Sequence, residues 1–248
     1  MSKKLRLYQI LRQRGIGTVK EALDLIRSGS VLVNGALAKN PNFQVNPNRE
    51  KIEIKLTSSE SKQIDKTIPK KYFMLNKPIE TMTTTGKDNR KTVMDLFNIE
   101  GKIKKTLFPV GRLDYKTTGL LIITNDGNFA HKLLSPKSNI EKEYHAVIKG
   151  RLSPTDIKEL EHGVIIDVND QKYKTQPAKV SVIKSGEATT KCSIIISEGK
   201  KRQVRLMFLA VGHKVLELER VRIGKLMLSY LKPGEYRELS TDEVKMLQ

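Results

Sequence analysis

The chain of 248 residues contains no tryptophan and one cysteine, and only 5% of it is aromatic. With Cys192 alone, a disulfide within the chain is excluded and a cysteine-based zinc site is not expected. Cys192 lies in the run Cys192-Ser193-Ile194-Ile195-Ile196, where a thiol serves as a small buried hydrophobe. Histidines are few and scattered, at 131, 145, 162 and 213, with no helical ligand pair, so metal chemistry is not indicated. Long apolar runs are missing as well. None approaches the roughly 18 residues that span a bilayer, and Met1-Ser2-Lys3-Lys4 leads into a mixed segment rather than a signal-peptide core. A cytoplasmic protein without a membrane partner is expected. Acidic residues are the last shortage, 27 against 46 Lys+Arg, for a formal net charge of +19. Such an excess calls for a polyanionic partner, nucleic acid first.

What is present divides into two parts. Residues 1–56 read as a small unit. Leu7, Ile10 and Leu11 share one helical face, and Thr18-Val19-Lys20-Glu21 has the capping-box pattern that opens a second helix, with Ala22, Leu25 and Ile26 as its apolar side. Val31 to Leu37 is a hairpin around Asn34-Gly35, and Lys51 to Leu56 alternates as a closing strand. Two short helices and a small sheet with Val33-Asn34-Gly35 resemble the RNA-binding domain named after ribosomal protein S-four. That resemblance implies a basic helical face for structured RNA, with Arg6, Arg12, Arg14, Lys20 and Arg27 as candidate contacts. The segment carries 11 Lys+Arg against 4 Asp+Glu. Only Lys20 stands where the family often has a run of arginines. Residues 57–70 are polar and aperiodic, and read as a linker.

Residues 71–248 read as a second, larger domain of α+β class, a broad and mostly antiparallel sheet with flanking helices. Its centre is Gly111-Arg112-Leu113-Asp114-Tyr115-Lys116-Thr117-Thr118-Gly119, which runs into the apolar strand Leu120 to Ile123. Asp114 there is either a turn former or an acid held at the rim of a sheet, beside Arg112. Phe73 to Leu75 is a strand that Asn76-Lys77-Pro78 breaks, with the Lys77 charge at its rim. Tyr144 falls on an alternating strand with Ala146 and Ile148, Leu218 falls in Val215-Leu216-Glu217-Leu218-Glu219-Arg220, and simple core packing is an adequate reading of both. Ser153 and Pro154 open a helix. Lys200, Lys201, Arg202 and Arg205 follow Gly199 and enter a helix whose stripe is Val204, Met207, Phe208 and Val211. Four cations in six positions suit phosphate contacts.

The Gly111–Leu121 series resembles the catalytic motif of the pseudouridine synthases that modify single uridines in ribosomal RNA. Asn76-Lys77-Pro78, Lys142-Glu143-Tyr144, Gln203-Val204-Arg205 and Leu218-Glu219-Arg220 resemble further family elements, in the family's order. The resemblance implies that Asp114 is the catalytic acid, that Tyr144 lies in the active site, that Arg205 pairs with Asp114, and that Leu218 packs on the target base. Isomerising uridine breaks an N-glycosidic bond and rejoins the sugar through carbon, so no cofactor is needed. Lys77, Lys200, Lys201, Arg202 and Arg112 are the expected contacts to the RNA around an extruded uridine. The Gly-Arg-Leu-Asp-Tyr and Arg-Gln-Val-Arg sequences favour large-subunit RNA, whereas Tyr72 to Pro78 resembles the small-subunit enzyme. A monomer is expected. Two other readings stand beside the enzyme: a ribosome-assembly RNA binder without chemistry, and a carboxylate-dependent nucleic-acid hydrolase.

Overall fold

A computed structural model describes residues 4–16, 19–55, 61–63, 68–86, 88–99 and 101–247. They divide into two compact units.

The first unit comprises Met1–Lys71 together with Asn98–Phe108 and Thr124–Asp126. After the short strand β1 (Leu5–Arg6), helix α1 (Leu7–Gln13) buries Leu7, Ile10 and Leu11. Helix α2 (Val19–Arg27) buries Ala22 and Ile26, with Leu25 packed beside them. The capping residue expected at Thr18 lies outside the described residues. β2 (Val31–Val33) turns through Asn34 (φ 51) and Gly35 (φ 80) into β3 (Ala36–Leu37). Two left-handed residues in a two-residue loop match the twist of the hairpin, which is why Asn-Gly was legible. β4 (Gln44–Val45) pairs with β1. β5 (Ile52–Lys55) closes the sheet against β2, and β6 (Ser61–Gln63), inside the segment read as a linker, adds a strand beyond it. The strict alternation expected of β5 fails at Glu53, which is buried and paired with Lys51 at 2.9 Å. Helix α3 (Gly101–Thr106) also belongs to this unit.

The second unit is built on a nine-stranded sheet among the described residues. In chain order its strands are β7 (Tyr72–Lys77), β8 (Phe108–Pro109), β9 (Thr118–Thr124) and β10 (Lys142–Lys149). A separate hairpin follows, β11 (Ile165–Val168) and β12 (Gln171–Lys174), and then β13 (Lys179–Ser185), β14 (Thr189–Ile196), β15 (Val215–Ile223), β16 (Leu226–Met227) and β17 (Tyr236–Glu238). The path across the sheet is β13-β14-β10-β15-β9-β7-β17. Pairing is antiparallel through β13, β14, β10 and β15, and parallel where β15 meets β9. The helices are α4 (Gly127–Leu134), α5 (Pro154–His162), α6 (Gln203–Ala210) and α7 (Thr241–Met246). Ser153 caps α5 by accepting the Asp156 N–H at 3.1 Å, and Ser240 caps α7 in the same way. This is the α+β arrangement the sequence predicts.

β9 is buried from Gly119 to Thr124, as a central strand covered on both faces must be. β10 buries Tyr144, Ala146 and Ile148 and turns Glu143 and His145 the other way. Phe73, Phe97 and Tyr236 pack as a ring cluster, with Phe97 and Tyr236 stacked at 4.3 Å, and this joins β7 to β17. No helix among the described residues is long and apolar enough to cross a membrane.

Candidate active site

The parallel joint between β9 and β15 is the foundation of the site. Gly119 stands opposite Arg220 there, with φ +100. A Cβ on Gly119 would fall 2.3 Å from the Arg220 carbonyl oxygen, so only glycine permits this approach. The close contact brings the turn preceding β9 alongside Leu218, and the Thr118 hydroxyl reaches the Leu218 carbonyl at 3.4 Å.

That turn carries Asp114, and the residues on either side of it are held by backbone anchors. Thr83 clamps Leu113, donating its hydroxyl to the carbonyl at 2.8 Å and accepting the N–H at 3.3 Å. The Tyr115 carbonyl accepts the Glu80 N–H at 2.8 Å and a longer contact from the Lys77 ammonium at 3.5 Å. A Thr117 N–H to Asp114 carbonyl bond at 3.0 Å closes the turn. The Asp114 carboxylate itself, half-buried, makes no hydrogen bond or ion pair among the described residues. The flanks of the turn are thus anchored by hydrogen bonds while the carboxylate is not used in any of them.

Asp114 lines a small cavity of about 60 Å³ together with Tyr144, Leu218, Arg112, Lys200 and Arg202. Tyr144 on β10 stands opposite Arg220, and Leu218 stands opposite Ala146, so Tyr144 and Leu218 are diagonal neighbours on one buried face. A broader cleft of about 480 Å³ shares Arg112, Asp114, Lys200 and Arg202, and adds Lys201 and Arg90. Arg112, Lys200, Lys201 and Arg202 are exposed to solvent there. Arg202 takes a left-handed conformation (φ 56) at the start of α6, which turns the basic loop out of the helix axis.

Arg205 sits in the first turn of α6. Its guanidinium donates to the Lys116 carbonyl at 2.9 Å and to the Val215 carbonyl at 3.1 Å. No ion pair to Asp114 forms among the described residues. Burial lowers the Arg205 pKa, Asp114 draws it back up, and Arg202 lowers it. Arg205 therefore holds the turn that carries the acid and adds a positive field, rather than gripping the carboxylate.

Two expected RNA contacts are corrected by burial. β7 continues through Lys77 instead of ending before it, and Lys77 is 0% exposed, its ammonium donating to the Pro78 carbonyl at 3.0 Å. Burial brings its pKa down to about 8, against an opposing pull from Asp114. Such a lysine has no surface from which to reach a phosphate. Arg14 is 4% exposed and donates to the Pro47 carbonyl at 2.9 Å, so it ties the first unit together internally. Arg12 is half-buried with its guanidinium over the Phe108 ring at 5.0 Å, whereas Arg6, Lys20 and Arg27 are exposed.

Three residues of this region were not singled out from the sequence. Thr83 lay in a hydroxyl-rich loop with nothing to distinguish it from its neighbours. Arg90 lies over the Tyr115 ring at 5.5 Å and pairs with Asp88 at 3.0 Å. Arg220 is 5% exposed and donates to the Leu120 carbonyl at 2.7 Å, and one of its terminal nitrogens is buried without a partner. Its position in Leu218-Glu219-Arg220 was the available signal.

The family model described as RNA pseudouridylate synthase matches residues 71–210, a span that contains Asp114, Tyr144 and Arg205. The chain belongs to this family. Residues 5–50 match the S4 domain, and the synthase is an isomerase acting on RNA. Among curated relatives, it is 36% identical over 244 residues to an uncharacterized RNA pseudouridine synthase of Bacillus subtilis, covering 98% of each chain. It is 36% identical to ribosomal large subunit pseudouridine synthase B of the same organism, covering 98% of this chain and 95% of that one. Ribosomal small subunit pseudouridine synthase A of Yersinia pestis is 33% identical, with 97% of each chain covered. A crystal structure of a pseudouridylate synthase superposes with a TM-score of 0.69 at 31% identity, over 98% of this chain and 100% of that one.

Proposed function

We propose that the synthase converts a specific uridine of ribosomal RNA to pseudouridine, with Asp114 as the essential acid and large-subunit RNA as its substrate. The observation that carries this reading is the Asp114 carboxylate, which makes no hydrogen bond or ion pair among the described residues, stands between two anchored residues and lines a cavity with Tyr144 and Leu218. The reaction conserves atoms and electrons, so carboxylate, base and sugar suffice and no cofactor enters.

The carboxylate adds to the anomeric carbon or removes a neighbouring sugar proton, and either route frees the base. The base turns between Tyr144 and Leu218 and rejoins the sugar through carbon. Tyr144, which lines the same cavity, assists loss of the proton from that carbon. Arg205, held nearby by the Lys116 and Val215 carbonyls, sets a positive charge beside the reacting carboxylate. Extruding the uridine costs a few kcal/mol. Stacking, about 1–3 kcal/mol per base, offsets it, together with phosphate contacts from Arg112, Lys200, Lys201 and Arg202. The exposed Arg6, Lys20 and Arg27 of the S4 domain supply further RNA contacts.

A relative at 33% identity named for the small subunit favours the second reading, the same reaction in small-subunit RNA. One experiment separates the readings. Pseudouridines are mapped in both ribosomal RNAs by carbodiimide labelling and primer extension, in cells lacking the protein and in cells re-supplied with wild type or Asp114→Asn. One site in large-subunit RNA is expected to vanish and to return with wild type only. Return of the site with Asp114→Asn would remove the acid from the mechanism. No change at any site would leave an RNA-binding role.

A further inference from the structure

The basic loop facing Asp114 is moored to a part of the second unit that no chemical step touches. β11 and β12 form a two-stranded hairpin off the main sheet, turning through Asn169 (φ 51) and Asp170 (φ 62). Tyr173 on β12 donates its hydroxyl to one oxygen of Glu198 at 2.5 Å. The other oxygen accepts the Gln176 N–H at 2.9 Å and the Gln203 side-chain amide at 2.5 Å. Gln203 turns its own carbonyl oxygen back to the Lys200 N–H at 2.9 Å, closing the loop from Lys200 to Gln203. Two further ties run from the loop cations: the Lys200 ammonium lies 4.3 Å over the Tyr173 ring, and the Lys201 ammonium approaches Asn169 Oδ1 at 3.4 Å.

A carboxylate beside an RNA-binding wall weakens that wall's attraction for phosphate. Glu198 is therefore out of place unless it does something else there, and its three donors come from the hairpin strand, the segment after it and the first residue of α6. We infer that the β11–β12 hairpin positions the RNA-gripping loop, with Glu198 as the joint, and so sets how far Lys200, Lys201 and Arg202 reach toward the phosphates flanking the target nucleotide. The inference rests on the reading of the cleft as the RNA site. Tyr173 and Glu198 are positioning residues; neither meets the reacting atoms. The hydrogen bond to Glu198 also raises the Tyr173 pKa, in keeping with a hydroxyl committed to that carboxylate.

The test compares full-length wild type, Glu198→Ala, Glu198→Gln and Tyr173→Phe. Turnover is measured on a ribosomal RNA transcript, and RNA affinity is measured across a salt series. Glu198→Ala is expected to raise KM about tenfold, the effect of losing one or two charge-assisted contacts, with kcat held within about twofold. Its plot of log affinity against log salt should flatten by roughly 0.7 for each phosphate contact given up on single-stranded RNA. Tyr173→Phe should move both readouts less, because the ring under Lys200 remains. Glu198→Gln should stay near wild type: its carbonyl still accepts from Gln203 and Gln176, and the Tyr173 hydroxyl can rotate to accept from the new amide. A folded Glu198→Ala with wild-type KM and salt slope would overturn the inference, as would a loss confined to kcat. If Glu198→Ala does not fold, Tyr173→Phe carries the same decision against Glu198→Gln. A wild type without turnover on any ribosomal RNA sinks the catalytic reading, and the salt slopes still decide the role of the hairpin.

Discussion

At the scale of single residues, burial decides what each cation does. Lys77 and Lys200 are both lysines near Asp114, yet one is sealed under the acid and the other faces solvent. A buried lysine whose pKa is about 8 holds fewer protons folded than unfolded between pH 8 and its ordinary value near 10.5. Stability therefore rises with pH across that window, because the unfolded chain binds the extra proton. Denaturant unfolding of wild type and Lys77→Met at pH 7 and 9.5 should show wild type gaining about 2 kcal/mol relative to the variant. An unchanged difference would mean that Lys77 titrates normally. Arg205 makes the opposite case, since its value lies in bridging two carbonyls at once. Arg205→Lys can hold only one of them, and a displaced turn misplaces Asp114. Turnover should fall about 100-fold while RNA affinity changes little, as read by single-turnover kinetics beside a binding titration.

At the scale of elements, the site depends on one parallel joint in a mostly antiparallel sheet. β9 and β15 run parallel for only two residue pairs, and Gly119 makes that approach possible. Gly119→Ala forces a Cβ into the Arg220 backbone and strains a positive φ as well. It should destabilise the fold by about 3 kcal/mol or more. Gly127→Ala is the matched control: Gly127 starts α4, has no neighbour within 4 Å of a Cβ, and keeps an ordinary φ. That change should be neutral or slightly stabilising, and the two denaturation midpoints check the contrast. Antiparallel pairing of β10 with β15 puts Tyr144 and Leu218, 74 positions apart by subtraction of their numbers, on one face, and the parallel joint sets that face beside Asp114.

For the molecule as a whole, the charge of +19 makes RNA affinity a function of salt. The exposed cations of the first unit and its buried ones should separate experimentally. Reversing Arg6, Lys20 and Arg27 to Glu should weaken RNA binding and flatten the salt dependence without lowering the melting temperature. Arg14→Ala should lower stability by about 1–3 kcal/mol, because it leaves the Pro47 carbonyl without its charged donor. Its salt slope should stay at the wild-type value. If Arg14→Ala instead flattens the slope, the arginine reaches RNA despite its burial.

Features that depend on neighbours a few positions apart are written locally in the chain. Asn34-Gly35 specifies a left-handed hairpin turn, Ser153 and Pro154 start a helix, and Leu120 to Ile123, closed by Asn125-Asp126-Gly127, reads as a buried strand. The motif around Asp114 was legible for the same reason, because its glycines, acid and hydroxyls are contiguous. Tertiary structure alone decided matters of long-range packing. It sealed Lys77 and Arg14, brought Arg220 inside, and paired a stretch read as linker, Ser61 to Gln63, with β5. It also fastened Glu198 to a hairpin. Side-chain chemistry gives a lysine or arginine the same local signature whether it faces water or a carbonyl. Only the elements that pack around it, distant in the chain, determine whether its charge is presented to RNA or used to hold the fold.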